Sequence, residues 1–169
     1  MVDTLSRIAI TGASGYIGMQ LISELESSDH VETILAIDLR KAERMNYSKK
    51  LVFVRRDVRE PMYQLFKLYR IQAVVDLTFI LNPTRNKERF QSINVGGITN
   101  LLDSISRSDV GYLLFLSNES MYGPNPEKLH AVSKIVSDDL NILSCIHPTK
   151  RMPVQILRNL FNIVKITRR

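Results

Sequence analysis

The residues best suited to chemistry lie near the start of the chain, in Ile8-Ala9-Ile10-Thr11-Gly12-Ala13-Ser14-Gly15-Tyr16-Ile17-Gly18. An apolar, β-type run stops at three glycines spaced G-x-x-G-x-x-G, and an apolar, helical run begins at once. Such a turn leaves the N–H groups of a helix's first turn without intrahelical partners. The helix dipole adds positive character at the same point, so the turn suits a pyrophosphate. Gly12 would allow the tight turn, Gly15 would let backbone approach a phosphate, and Gly18 would let the helix pack close to the strand. An ordinary strand-to-helix turn would show the same triplet. A second residue separates the two readings: Thr33–Asp38 reads as the next strand and ends in an acid, twenty residues beyond Gly18. A dinucleotide fold places there the carboxylate that accepts from the ribose hydroxyls. Asp38 would repel a 2′-phosphate, so NAD is expected rather than NADP. Arg40 and Lys41 would soften that preference or belong to a solvated basic loop.

The elements needed to position these groups follow from the alternation of strand and helix patterns. Strands are expected at Arg7–Thr11, Thr33–Asp38, Leu51–Val54, Ala73–Leu77, Tyr112–Ser117 and Val154–Leu157. Several are continuous apolar runs, as strands covered on both faces should be. Helices are expected at Tyr16–Ser27, Met62–Tyr69, Lys87–Ser106 and Leu129–Ile146, the third with Phe90, Ile93, Ile98, Leu101, Leu102 and Ile105 on helical spacing. The pattern predicts an α/β, Rossmann-like, doubly wound parallel sheet of strand order 3-2-1-4-5-6 in a single domain. Ligands would gather beyond the carboxyl ends of the strands, between strands one and four. Further polar residues fall at that end: Asp57 after strand three, placed to accept from an adenine amino group; Leu77 and Thr78 after strand four, where backbone would pass a cofactor; and Ser117 and Asn118 after strand five. His130 and Lys134 lie four apart on one helix face.

Composition narrows the field. The 169 residues suffice for one domain with a sizeable core. The single cysteine, Cys145, excludes an internal disulfide and fits a reducing, cytoplasmic setting. The three histidines, His30, His130 and His147, lack zinc-ligand spacing, so no metal site is expected. No apolar run is long enough to cross a bilayer, since Asp76 interrupts the best one, and no secretory leader is visible. The net charge of +6 permits anionic partners, but the basic residues are scattered and not interleaved with aromatics, so nucleic acid is not an expected partner.

Taken in order, these pieces resemble the extended short-chain dehydrogenase/reductase family, the NAD-dependent nucleotide-sugar epimerases and dehydratases. The resemblance rests on TGASGYIG at 11–18, the acid of AIDLR, RRDVRE around Asp57 and VVDLTFILNP at 74–83. It continues through INVGGITNLLDS at 93–104, LSNESMYGPNP at 116–126, HAVSK at 130–134 and ILRNLFN at 156–162. It implies a Rossmann-like core with bound NAD or NADP and oxidoreductase-type hydride transfer to or from a carbon of a nucleotide sugar. By position it implies that Gly12, Gly15 and Gly18, with the Tyr16 and Ile17 backbone, hold the pyrophosphate, that Asp38 holds the adenosine ribose, and that Asp57 and Val58 border adenine. Leu77 and Thr78 would pass the middle of the cofactor, Lys134 would bond the nicotinamide ribose, and Asn94 would brace the central helix. It further implies a homodimer through helices 87–106 and 129–146.

The departures bear on catalysis. The family's catalytic tyrosine, four residues before the lysine, is here His130, and its serine or threonine, four residues before the tyrosine of the YG pair, is here Asn118. A phenol beside a cationic lysine becomes a usable base at neutral pH; imidazole exchanges protons but is shorter, and a neighbouring lysine lowers its pKa. The chain also ends soon after ILRNLFN, where members continue into a smaller substrate-binding part. Three readings stand at this point: a dinucleotide-binding module without catalysis, which residue logic favours; an enzyme using His130, Asn118 and Lys134; and a remnant that binds neither cofactor nor substrate.

Overall fold

A computed structural model describes residues 5–45, 48–80 and 87–115. Five parallel strands form one sheet: β1 (Arg7–Thr11), β2 (Thr33–Asp38), β3 (Leu51–Arg55), β4 (Ala73–Asp76) and β5 (Tyr112–Phe115), in the order β3-β2-β1-β4-β5. This is the Rossmann-like α/β arrangement expected, up to its fifth strand. The sixth strand candidate, Val154–Leu157, and the helix candidate Leu129–Ile146 lie outside the described residues.

The apolar strands build two cores because successive side chains leave opposite faces of a sheet. On one face Ile8, Ile10, Ile34, Ala36 and Val75 meet Leu21, Ile22 and Leu25 of α1 (Tyr16–Ser27). On the other, Ala9, Leu35, Ile37 and Val74 meet Phe66 of α2 (Tyr63–Leu68) and Ile98, Leu101 and Ile105 of α4 (Gly97–Ser106). These α4 residues are thus buried within the chain itself. At the amino end of the sheet, the Gln72 side-chain oxygen accepts from the backbone N–H groups of Ser6 (2.8 Å) and Arg7 (3.1 Å), fastening the chain just before β4 to the entrance of β1.

Element boundaries shift slightly from the sequence expectation. β3 runs one residue further, to Arg55, α2 is one residue shorter at each end, and β4 stops at Asp76, where Leu77 turns away to pass over Gly12. The helix expected over Lys87–Ser106 is continuous but changes its winding. A short α3 (Lys87–Gln91) runs into a π turn at Ser92–Gly96, and α4 follows. The inward position between Phe90 and Ile98 is taken by a buried polar residue, Asn94. Its Oδ1 accepts from the Ile80 N–H (2.9 Å) and its Nδ2 donates to the Ile80 carbonyl (3.1 Å), so the helix holds the chain leaving β4.

Candidate functional site

The carboxyl ends of β1 to β4 surround an open cleft. Thr11 and Gly12, where β1 passes into the turn before α1, line it, while Gly15, Tyr16, Ile17 and Gly18 lie outside its wall. Gly12 adopts φ +67°, and a Cβ there would lie 2.8 Å from the Leu77 carbonyl carbon and oxygen. Only glycine fits both the conformation and the approach of the β4 exit. Gly15 precedes α1 in extended conformation, and no side chain caps the helix, so the N–H groups of its first turn, which includes Tyr16 and Ile17, are left without intrahelical partners. Tyr16 and Ile17 are exposed. At Gly18 a Cβ would lie 2.6 Å from the Ala13 carbonyl oxygen and 2.7 Å from that of Gly12. This glycine therefore lets the helix sit directly on the turn's own carbonyls.

Asp38, at the end of β2, stands beside this turn. Its Oδ2 accepts from the Ser14 N–H (3.0 Å), and its Oδ1 accepts from the Leu39 N–H (2.7 Å). The Arg40 N–H also reaches Oδ1, at 3.4 Å, so three backbone donors aim the carboxylate and Oδ2 keeps an acceptor position for another donor. The Ser14 hydroxyl donates to the Arg40 carbonyl, a second tie between the turn and the β2 exit.

On the β3 side, Asp57 and Val58 line the cleft with Arg56. Arg59 grips the Asp57 carboxylate: Nε donates to Oδ1 (2.9 Å), Nη2 to Oδ2 (2.7 Å), and the Arg59 backbone N–H to Oδ1 (2.9 Å). These hydrogen bonds hold the Asp57 carboxyl below the usual carboxylate range, against a smaller opposing effect of partial burial, and the charge of Arg89 adds in the same direction. The same pairing strengthens protonation of the Arg59 guanidinium. The buried Val58 is fixed from the helix side. A Cβ on Gly97 would lie 2.7 Å from Val58 Cγ1, and Asn100 Nδ2 donates to the Val58 and Glu60 carbonyls at 2.7 Å each.

Of the residues singled out from sequence, Gly12, Asp38, Asp57, Val58 and Thr78 all line this one cleft, and Leu77 packs behind Gly12. The proposed catalytic residues Asn118, His130 and Lys134 lie outside the described residues. Sequence reasoning missed Arg59, although an acid and an arginine two apart in a tight turn are a usable signal. It also missed a buried pair where β1 meets β4: Thr11 Oγ1 donates to Asp76 Oδ1 at 2.5 Å, and that oxygen also accepts from the Thr78 N–H at 3.0 Å. Among the described residues no group of His, Cys, Asp and Glu could hold a metal ion. No helix among them is long and apolar enough to cross a membrane.

A parallel sheet wound in this order, with a glycine-cleared turn opposite a strand-end acid, defines a Rossmann-like protein. Residues 8–161 match the model of the NAD dependent epimerase/dehydratase family, and the chain belongs to that family. Among curated relatives, it is 28% identical over 130 residues to the bifunctional protein GAL10 of Pachysolen tannophilus, covering 70% of this chain and 19% of that protein. It is 24% identical over 156 residues to a UDP-glucose 4-epimerase of Pisum sativum, covering 83% and 44% respectively. Among solved structures, MoeE5 in complex with UDP-glucuronic acid and NAD superposes with a TM-score of 0.75 at 22% identity, over 85% of this chain and 50% of that one. The UDP-glucose 4-epimerase of Thermotoga maritima with UDP-glucose gives 0.71 at 20% identity, over 82% and 51%. The chain therefore spans about half or less of the length of these relatives.

Proposed function

We propose that this chain binds NAD in the cleft above β1, as the dinucleotide-binding part of an epimerase/dehydratase-type protein. The observation that carries this reading is the coupling of two groups at one mouth: the glycine turn donates its Ser14 N–H to the Asp38 carboxylate, so the acid for a ribose and the amides for a diphosphate are preset together. Side-chain atoms at Gly12, Gly15 and Gly18 would press on backbone, within 3.2 Å of it at each position, and their absence keeps the turn compact. Gly15, Tyr16, Ile17 and Gly18 would hold the diphosphate, Asp38 the adenosine ribose and Asp57 with Val58 the adenine, while Leu77 and Thr78 would border the middle of the cofactor. Asp38 disfavours a 2′-phosphate, so NAD is preferred to NADP. Bound NAD supplies a hydride acceptor, and the relatives' ligands support a nucleotide sugar as the substrate class. Lys134, at the position of the family's lysine, would bond the nicotinamide ribose. With His130 and Asn118 at the positions of the usual tyrosine and serine or threonine, we infer that cofactor binding outlasts catalysis in this chain.

Calorimetric titration with NAD and NADP tests the binding reading. Saturable heat with NAD, weakened at least tenfold in Asp38→Ala, is the expected result, and absence of saturation with either dinucleotide overturns it. A second reading, an enzyme in which His130 takes the phenol's place, is favoured by the intact HAVSK spacing. Turnover of a nucleotide sugar by the chain, lost in His130→Ala, would establish it.

A further inference from the structure

A carboxylate offers about four acceptor positions, two on each oxygen. At Asp57, Arg59 occupies three of them, two on Oδ1 and one on Oδ2. One position on Oδ2 is left. The guanidinium is anchored a second time, since its Nη1 donates to Ser92 Oγ (3.3 Å) at the start of the π turn. Asp57 therefore cannot rotate without breaking the fork with Arg59, whose guanidinium is also held at Ser92. Arg59 is not itself part of the cleft wall; Asp57 is.

We propose that Arg59 is a positioning residue for base selection: it fixes the Asp57 carboxylate with a single open acceptor position, so that the cleft takes a base offering an N–H there and turns away one offering a carbonyl oxygen. The proposal rests on the dinucleotide reading above. Adenine presents an exocyclic amino group; hypoxanthine presents a carbonyl at the same ring position, whose lone pairs would face a carboxylate. Because Arg59 and Arg89 both favour the charged carboxylate, Asp57 carries no proton with which to satisfy that carbonyl. The fork geometry matters as well as the charge. A lysine at 59 would supply charge without two parallel donors and would leave the carboxylate free to turn.

The test is titration of the wild type, Arg59→Gln, Arg59→Lys and Ser92→Ala with NAD and with nicotinamide hypoxanthine dinucleotide at neutral pH. The readout is the ratio of the two affinities. One hydrogen bond to a charged acceptor corresponds to a wild-type preference for NAD of about 10–100-fold. Arg59→Gln lowers the ratio several-fold, since the carboxylate remains but is no longer held in one orientation; Arg59→Lys gives an intermediate value, and Ser92→Ala a smaller loss. A variant that merely loosens the fold weakens both ligands alike and leaves the ratio unchanged. Equal wild-type affinities, or a ratio that Arg59→Gln or Arg59→Lys leaves at the wild-type value while both dinucleotides bind, overturns the proposal. Failure of the wild type to bind either dinucleotide overturns the dinucleotide reading and this proposal with it.

Discussion

Two adjacent glycines, Gly96 and Gly97, should respond differently to the same substitution. Both have right-handed helical backbone, with φ/ψ of −62°/−37° and −61°/−51°. Alanine at either therefore gains the helix preference of alanine over glycine, roughly 0.5–1 kcal/mol. Their surroundings differ. A Cβ at Gly96 meets nothing within 4 Å, whereas at Gly97 it lies 2.7 Å from Val58 Cγ1 and 3.3 Å from Cγ2. Ordinary carbon contacts lie near 3.5–4.0 Å, so Val58 must move by close to an ångström. Such overpacking typically costs about 1–3 kcal/mol. Gly96→Ala should stabilise the protein and raise the melting temperature by about 1–4 °C, at roughly 2–4 °C per kcal/mol for a chain of this size. Gly97→Ala should be neutral or destabilising by up to about 2 kcal/mol, once the helix gain is set against the overpacking. Since the backbone benefit is common to both, the difference between the two variants isolates the contact with Val58. Urea unfolding of Gly96→Ala, Gly97→Ala, Val58→Ala and the Gly97→Ala/Val58→Ala double variant measures it. The double variant should be more stable than the single effects predict by about 0.5–3 kcal/mol, because the methyl groups being struck are gone. Equal stabilities for the two glycine variants, with additive behaviour in the double, would refute the reasoning.

Two further outcomes follow from the polar pairs. Thr11→Val keeps the shape of the side chain but removes the donor to Asp76 within a buried site; a stability loss of about 1–3 kcal/mol is expected, and urea midpoints within error of the wild type would contradict it. Asp57 has a folded-state pKa below its unfolded value, so its stabilising contribution is full above about pH 4 and is lost as pH falls through the folded value. Arg59 is exposed, so that contribution is small, about 0–1 kcal/mol. The acid limb of a stability–pH curve should flatten slightly in Arg59→Gln, and a steeper limb would be the wrong sign.

The parts of the fold visible in the sequence were those with local causes. The apolar strands β1, β2 and β4 are buried almost throughout, and their continuous hydrophobic runs announced a sheet covered on both faces. Asp38 was legible because its place depends only on where β2 ends. The Thr11–Asp76 pair was not, because the two residues are far apart in the chain and become neighbours only through the register of β1 with β4. The π turn was hidden for a related reason: Asn94 looks like an interruption of an apolar stripe until the Ile80 backbone is there to receive it. Gly97 likewise shows its role only when Val58 arrives from a separate loop. The candidate site was legible on its cofactor side, while Asn118, His130 and Lys134, where the chemistry would be decided, lie beyond the described residues.

The stitch made by Gln72 has a consequence for how such a protein can change. It binds two segments more than sixty residues apart at the end of the sheet opposite the cleft. Cohesion and recognition are thereby assigned to opposite poles of the molecule. Mutations that retune the ligand-facing rim need not loosen the pole that ties the strands together, so new specificities can be explored on an unchanged foundation.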